Sequence, residues 1–274
     1  MTHKKRTEDK RPIKFFDKVV VYGDVHDPFV DEPVFDMFLE ALRIIKPNVI
    51  VELGDGIDFF QLSKFSVDPE RRYALASDRD AFVRRRLAVS NAVGKKCLRK
   101  YLPGNHEWRL KEYLRTKASE LSNIPELSIS EFLGLDALGW DYRGFDGAQN
   151  PTIEIGKLLV THGHIVRKHS SYSARAILED YGQSVLVGHT HRLGSYWRST
   201  LDTTHVAYEN GCLCSLSAGK SYVKGAINWQ RGFSVVSVDP QTGWFRVHQI
   251  PIVKVPGKQV CRLQLNECIL ECNA

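Results

Sequence analysis

The sequence lacks any apolar run close to the roughly 20 residues that a helix needs to cross a bilayer. Its basic start, residues 1–6, is followed by no apolar segment, so we expect no secretory signal. None of the six cysteines forms a C-x-x-C pair, although Cys212 and Cys214 alternate in one strand-like run. We interpret all six as reduced thiols of a cytoplasmic protein that does not act at a membrane. The alternative is a metal site or a disulfide bond among the last three cysteines.

Internal repeats and a clear second domain are also missing. The 274 residues are 43% hydrophobic and 26% charged, which is typical of one large globular α/β domain. We expect a basic, disordered tail over residues 1–14, a catalytic domain over 15–255, and a peripheral C-terminal tail over 256–274.

The net charge of +6 is concentrated in two places, and the remaining chain is net negative. One is the start of the chain. The other is the stretch 71–100. It contains ten Lys and Arg residues and only two acidic residues, Asp78 and Asp80, which gives a local charge of +8. The stretch is either the solvated face of an amphipathic helix or a surface that attracts a polyanion, namely nucleic acid or a nucleotide.

The first part of the chain predicts alternating strands and helices. Lys18–Tyr22, Asn48–Leu53 and Cys97–Leu102 are β-branched or apolar runs typical of buried parallel strands. Asp31 is a typical N-cap for the first helix, and residues 61–96 have a helical pattern. This order predicts a parallel sheet, whose ligands bind at the carboxyl ends of the strands.

The second part predicts a hairpin around Gly156 and a helix over Ser171–Tyr181 that ends at Gly182. Three later segments alternate apolar and polar residues, and we predict that they form an antiparallel second sheet: Thr204–Tyr208, Gly232–Val238 and Trp244–Gln249.

Five short segments with metal-ligand residue types follow predicted strands. They are Gly23-Asp24-Val25-His26, Gly54-Asp55-Gly56, Gly104-Asn105-His106-Glu107, Thr161-His162-Gly163-His164 and Gly188-His189-Thr190-His191. The mixture of Asp, Asn and His suits Mn, Fe or Zn better than Ca or Mg. In the first and last segments the ligand types are two residues apart, on one side of an extended chain. The pattern predicts a site for two adjacent metal ions that hydrolyses phosphate esters.

The series D-x-H, G-D-x-x-D, G-N-H-[DE], H and G-H-x-H, from Val19 to Arg192, resembles the calcineurin-like metallophosphoesterase superfamily. That superfamily includes double-strand-break repair nucleases and small phage and bacterial metallophosphatases. The resemblance implies a four-layer α/β/β/α sandwich of two mixed sheets. It also implies that one metal is bound by Asp24, His26 and His191, the other by Asn105, His162 and His189, and both by a bridging Asp55.

The resemblance further implies that His106 is the general acid, next to a water or hydroxide between the metals that attacks phosphorus in line. His162 and His164 both lie near the fourth strand end, and we choose His162 as the ligand because the family uses the histidine that directly follows the strand. The candidates for substrate contact are Asp58, Arg109, His164 and Arg192.

The resulting hypothesis is a dinuclear phosphoesterase acting on phosphomonoesters or phosphodiesters, with nucleotides or nucleic acid favoured. We expect two divalent ions, Mn²⁺ first, with Fe, Zn, Ni and Co as alternatives. One competing hypothesis is a protein phosphatase of the small phage or bacterial type, although Phe59-Phe60 replaces the Arg-Gly of the protein Ser/Thr phosphatase branch. Another is a non-catalytic scaffold of the same fold, which the full set of seven ligand types argues against.

Overall fold

Strands and helices alternate along the part of the chain that the computed structural model describes, which comprises residues 17–64, 74–147, 149–217 and 227–273. The strands are β1 Asp17–Tyr22, β2 Val49–Glu52, β3 Leu98–Tyr101, β4 Asp141–Tyr142, β5 Thr152–Ile155, β6 Leu158–Thr161, β7 Val185–Val187, β8 Leu193–Ser199, β9 Thr204–Asn210, β10 Arg231–Val238, β11 Phe245–Lys254, β12 Val260–Leu265 and β13 Cys268–Asn273. The α-helices are α1 Glu32–Ile45, α2 Leu75–Val93, α3 Asn105–Lys117, α4 Ile129–Leu133 and α5 Tyr172–Tyr181.

The first helix shows how local sequence sets these bounds. Asp31 is the N-cap of α1, and its carboxylate accepts a hydrogen bond from the Val34 backbone N–H at 3.4 Å. Val34, Phe38 and Leu42 lie on one face of α1 and are fully buried. The predicted start of this helix is therefore confirmed.

Within the described residues the strands form two mixed sheets. The larger has the order β13-β12-β11-β10-β1-β2-β3-β4, with β1 to β4 parallel to one another. The smaller has the order β5-β6-β7-β9-β8, with β6, β7 and β9 parallel. The predicted α/β class with two mixed sheets is thus confirmed.

Alternation along the strands divides the interior into layers. Val20 and Tyr22 of β1 pack in the apolar cluster that contains the buried face of α1. Val19 and Val21, which point the opposite way, pack against residues of the smaller sheet such as Val160. On the far side of the smaller sheet, a third cluster joins α5 to β6, β7 and β9. The layers are therefore helices, sheet, sheet and helix, in agreement with the expected sandwich.

The assignment of the later strands to a second sheet was wrong for two of the three. β9 does lie in the smaller sheet, but β10 pairs antiparallel with β1, and β11 pairs with β10. The alternating pattern identified them as strands. It holds no information on which sheet a strand joins, because the pairing partners are distant in sequence.

The larger sheet continues through the segment after residue 255. β12 pairs with β11 and with β13, and Cys261 and Leu263 are buried in the main core. The tail predicted for residues 1–14 lies outside the described residues, and the domain bounds stay predictions. In the described part of the chain, every helix is too short or too polar to traverse a lipid bilayer.

Candidate metal centre

The sequence segments with metal-ligand types converge because the strands that precede them end side by side. Tyr22 is the register partner of Glu52, Glu52 of Tyr101, and Thr161 of Val187. The loops after these residues and the start of α3 supply the candidate ligands: Asp24, His26, Asp55, Asn105, His162, His189 and His191. Their placement at the carboxyl edges of parallel strands is the usual position of ligand sites in such sheets.

The first group of side chains consists of Asp24, His26 and His191, all buried. His191 Nε2 lies 3.1 Å from Asp24 Oδ1 and 3.0 Å from His26 Nε2. Two ring nitrogens and a carboxylate oxygen therefore point at a common position. Such a donor set fits a divalent cation of borderline character.

The second group consists of Asp55, His162 and His189, with Asn105 beside them. His162 Nε2 lies 3.4 Å from Asp55 Oδ2 and 3.0 Å from Asn105 Oδ1. The opposite nitrogen of His162, Nδ1, lies 2.7 Å from the carbonyl oxygen of Leu53. Because that carbonyl can only accept, Nδ1 donates, and the lone pair of a neutral His162 is left on Nε2. This tautomer is the one that metal binding at Nε2 requires.

Asp55 lies between the two groups. Its Oδ2 atom is 3.8 Å from His26 Nε2 on one side and 3.4 Å from His162 Nε2 on the other. Its Oδ1 atom accepts a hydrogen bond from the His106 backbone N–H at 2.8 Å. Burial raises the pKa of Asp55, but the charges of His106 and His162 outweigh it and hold the pKa well below its usual value. Asp55 is therefore ionised and faces both groups.

The electrostatics of the site favour positive charge. Burial lowers the pKa of His162, but the charge of Asp55 outweighs it and raises the pKa to about 9. The neighbouring His189 has its pKa lowered to about 4 by burial and by His162. Because the site stabilises a proton on His162, it also suits positively charged metal ions. The residues present therefore fit the metals that the resemblance implies.

The backbone at the candidate ligands is strained. Among the described residues, nine that are not glycine have positive φ, and five of the nine are candidate ligands: Asp24, His26, Asp55, His189 and His191. For such residues the left-handed region is unfavourable, and it is typically retained at functional sites. These tight turns direct successive side chains into one small volume.

Glu107 holds the Asp55 loop from beneath. One of its carboxylate oxygens accepts hydrogen bonds from the backbone N–H groups of Asp55 at 2.9 Å and Gly104 at 2.7 Å. The other accepts from the Gly56 N–H at 2.9 Å and from the Tyr101 hydroxyl at 2.6 Å. Glu107 therefore joins the loops after β2 and β3. The only sign in the sequence that Glu107 connects these loops was its position in the G-N-H-[DE] motif.

Two of the predicted substrate contacts, Asp58 and Arg109, lie at the centre. Asp58 Oδ2 is 3.1 Å from His26 Nδ1, and the Asp58 carbonyl oxygen is 2.7 Å from His106 Nδ1. Arg109 donates to the same carbonyl at 2.8 Å, and its other terminal nitrogen lies 3.0 Å from His106 Nε2. Burial raises the pKa of Asp58, but hydrogen bonds from His106 and His26 lower it overall. Asp58 thus orients two histidines at once.

The other two predicted contacts are not brought to the centre. His164 is exposed and lines a separate depression with Asp180 and Tyr181, so of the two alternative histidines only His162 joins the cluster. Arg192 donates a hydrogen bond to the Arg167 carbonyl at 2.6 Å. Gly163, with φ of +91°, turns the chain between the two histidines, which separates His164 from the site.

A cavity of about 150 Å³ opens onto the two groups. Besides the residues predicted from the motifs, its walls include Phe29, Cys214 and Trp229. The Trp229 ring packs edge-on against that of His191, with centroids 4.1 Å apart. None of these three belongs to a motif, so only the folded chain reveals them.

Two arginines of the basic stretch form ion pairs inside the fold. Arg86 is 1% exposed and forms ion pairs with Glu52 and Asp27, and Arg85 pairs with Asp27 and Glu32. The exposed basic residues of the stretch include Arg84, Lys95 and Lys96, while Arg71 and Arg72 lie outside the described residues. The charge excess therefore gives a smaller basic surface than the sequence indicated.

Comparison with known proteins settles the family. Residues 17–193 match the family model described as calcineurin-like phosphoesterase. The chain belongs to the calcineurin-like phosphoesterase family. The expected resemblance is confirmed, and this family membership marks the convergent Asp, Asn and His side chains as the metal-binding candidates of a phosphoesterase domain.

Two phage proteins and several solved structures are similar over most of the chain. Gene 54 protein of Mycobacterium phage L5 is 26% identical over 244 residues, covering 82% of this chain and 90% of the phage protein. Its counterpart in phage D29 is 27% identical over 237 residues, covering 81% and 89%. Among solved structures, Vps29 of Entamoeba histolytica complexed with zinc is 13% identical with a TM-score of 0.43, covering 93% of this chain and 98% of that one. Vps29 of Chaetomium thermophilum is 10% identical with a TM-score of 0.44, covering 94% and 98%.

Proposed function

We propose that this protein is a dinuclear metal-dependent phosphoesterase that hydrolyses phosphomonoester or phosphodiester bonds, with nucleotides or nucleic acid as the favoured substrates. The observation that carries the proposal is the position of the ionised Asp55 carboxylate between two groups of nitrogen and oxygen donors. One group would be Asp24, His26 and His191, and the other Asn105, His162 and His189. Mn²⁺ is the preferred ion, because the donor set mixes hard oxygen with imidazole.

When bound, the two ions would act as Lewis acids on the phosphoryl group and lower the pKa of water. The protein's own contribution is to hold the donors fixed. Asp58 orients the His26 ring through Nδ1, and the Leu53 carbonyl orients His162 in the same way. Such partners of ligating histidines set the tautomer and the ring orientation.

We propose that His106 protonates the leaving oxygen. Its Nδ1 atom is held by the Asp58 carbonyl, so its Nε2 atom is the one that faces Asp55 and the cavity, 3.8 Å from Asp55 Oδ2. Arg109 lies beside it, with a terminal nitrogen 3.0 Å from Nε2. An anionic phosphoryl group entering the cavity would attract Arg109 away from His106 Nε2. The Nε2 atom would then be available to carry the proton.

The substrate class is supported by the cavity walls. A cavity of about 150 Å³ accommodates a phosphoryl group, and its walls include the aromatic rings of Phe29 and Trp229. Aromatic side chains provide stacking surfaces for bases, which favours nucleotides or nucleic acid over a phosphopeptide. We further propose that the protein acts in the cytoplasm, because all six cysteines are free thiols.

The proposal is tested with purified, Mn²⁺-loaded protein on p-nitrophenyl phosphate and bis-p-nitrophenyl phosphate. We expect turnover of at least one, and we expect EDTA to abolish it and added Mn²⁺ to restore it. Oligonucleotide cleavage measured beside phosphopeptide turnover then separates the favoured substrates from a protein phosphatase. Absence of turnover on every one of these substrates would overturn the enzyme assignment in favour of a scaffold.

The His106→Asn variant should keep its bound metal and lose rate, because His106 is not one of the proposed ligands. The loss should be largest for substrates with poor leaving groups, by roughly 10²–10⁴-fold, since general acid catalysis matters most there. The rate is measured for a series of aryl phosphates of increasing leaving-group pKa. His248→Asn, which changes an exposed histidine of β11, is the matched control and should leave the rates unchanged. Equal losses across the series would argue against the acid function.

A further inference from the structure

A pair of thiols lies directly behind one of the candidate metal ligands. Cys212 and Cys214 are buried, and each forms an isolated β-bridge, Cys212 with Arg231 and Cys214 with Val30. Because they are two residues apart in an extended segment, their side chains point to the same side. The backbone N–H of Cys214 donates to the Asp24 carbonyl at 3.1 Å, which fixes this segment to the first metal loop.

The thiols and one nitrogen of His191 form a compact group. The sulfur atoms of Cys212 and Cys214 and a ring nitrogen of His191 all lie within 4.8 Å of one another. Cys214 Sγ lies 4.0 Å from His191 Nδ1. Zinc bonds of about 2.3 Å to sulfur and about 2.1 Å to nitrogen can span this separation. Cys214 also lines the cavity, so an ion has a path to the group.

The geometry of Cys212 and Cys214 is better suited to binding a cation than to forming a disulfide bond. Residues two apart in an extended chain have Cα atoms about 6.6 Å apart, near the upper limit of roughly 6.8 Å for a disulfide. Their parallel side chains instead place both sulfur atoms on one side of the backbone. Two thiolates and an imidazole are the ligands of known zinc sites of the Cys₂His type, and thiolate selects soft or borderline ions over Mn²⁺.

We propose that Cys212, Cys214 and the Nδ1 atom of His191 form a thiol site that binds a soft divalent cation such as Zn²⁺ in competition with the first metal group. His191 is shared between the two, since its Nε2 atom faces Asp24 and His26. A neutral imidazole has one lone pair and can therefore ligate only one of the two ions. An ion in the thiol site displaces both thiol protons and withdraws His191 from the first group. The binding itself does not depend on the proposed function, whereas an effect on catalysis rests on it.

The test uses Cd²⁺ as the probe, because thiolate ligation of Cd²⁺ produces an ultraviolet charge-transfer band that oxygen and imidazole ligation do not. The full-length protein, reduced and free of metal, is titrated with Cd²⁺. We expect the band to saturate at one equivalent. The Cys212→Ser/Cys214→Ser variant should lose it. Cys261→Ser/Cys272→Ser, which removes two thiols that face each other on β12 and β13, should retain it.

Competition is measured by repeating the titration in saturating Mn²⁺. Because coupling between sites is reciprocal, Mn²⁺ should weaken Cd²⁺ binding at the thiol site by roughly fivefold or more. No band in the unaltered protein, or an equal band in Cys212→Ser/Cys214→Ser, would overturn the thiol site. An unchanged Cd²⁺ affinity in Mn²⁺ would overturn the sharing of His191. None of these measurements requires catalysis, so they stay decisive even if the proposed enzymatic function fails.

Discussion

The Asp55→Asn variant should lose phosphoesterase turnover by roughly 10³-fold or more and should bind both divalent ions less tightly. The asparagine keeps the size of the side chain, and its oxygen can still accept the 2.8 Å hydrogen bond from His106. What disappears is the negative charge that faces both donor groups. Metal ions contribute several kcal/mol of charge stabilisation in such reactions, and each loss of about 1.4 kcal/mol lowers the rate tenfold.

Turnover of p-nitrophenyl phosphate and metal content after gel filtration are measured together for this variant. Asp202→Asn, in the exposed turn between β8 and β9, is the matched control and should change neither quantity. If Asp55→Asn retained both ions at full stoichiometry, the bridging position of Asp55 would be refuted even if activity fell.

The Arg86→Met variant should lower the free energy of unfolding by about 3–5 kcal/mol. Arg86 is buried beneath the centre, where it pairs with Glu52 at the end of β2 and with Asp27 in the loop after β1. Its Nε atom donates to Glu52 at 3.0 Å. Methionine fills a similar volume but leaves the buried Glu52 carboxylate without a cation and leaves Asp27 with Arg85 alone, which is strongly destabilising.

Urea unfolding measures this effect. Arg43→Met, which breaks an exposed ion pair with Glu40 on α1, is the matched control and should leave the unfolding midpoint nearly unchanged. Adding Glu52→Gln to Arg86→Met should recover part of the loss, because the buried carboxylate that lacks a cation is then replaced by a neutral amide. A midpoint for Arg86→Met equal to that of Arg43→Met would show that the buried network does not stabilise the fold.

The sequence was informative where one residue type has one physical explanation. Asp31 before a helical pattern predicted the start of α1, and β-branched runs predicted the parallel strands whose ends bring Asp24 and Asp55 together. The strand pattern alone did not decide whether His162 or His164 is the ligand, because both face the same side of an extended segment. The family pattern was needed to choose His162. In the structure only His162 joins the cluster.

The sequence was uninformative where the partner is distant along the chain. From the sequence, Arg85 and Arg86 were interpreted as part of a basic surface. The neighbouring residues do not show that Asp27 and Glu52 neutralise them. β10 likewise has the pattern of any half-buried strand, so its pairing with β1 could not be foreseen. Trp229 at the cavity belongs to no motif and was missed for the same reason.

The position of β10 has a consequence for where this protein can be divided. The family match ends at residue 193, yet β10, from Arg231 to Val238, is hydrogen-bonded along β1, whose last residue lies two positions before Asp24. A fragment that stopped at the end of the match would leave the central strand with an open edge and uncover the faces that Phe233 and Val236 protect. We therefore predict that the segment able to fold by itself is longer than the matched segment, and that residues outside every motif decide whether the half with the candidate ligands can fold.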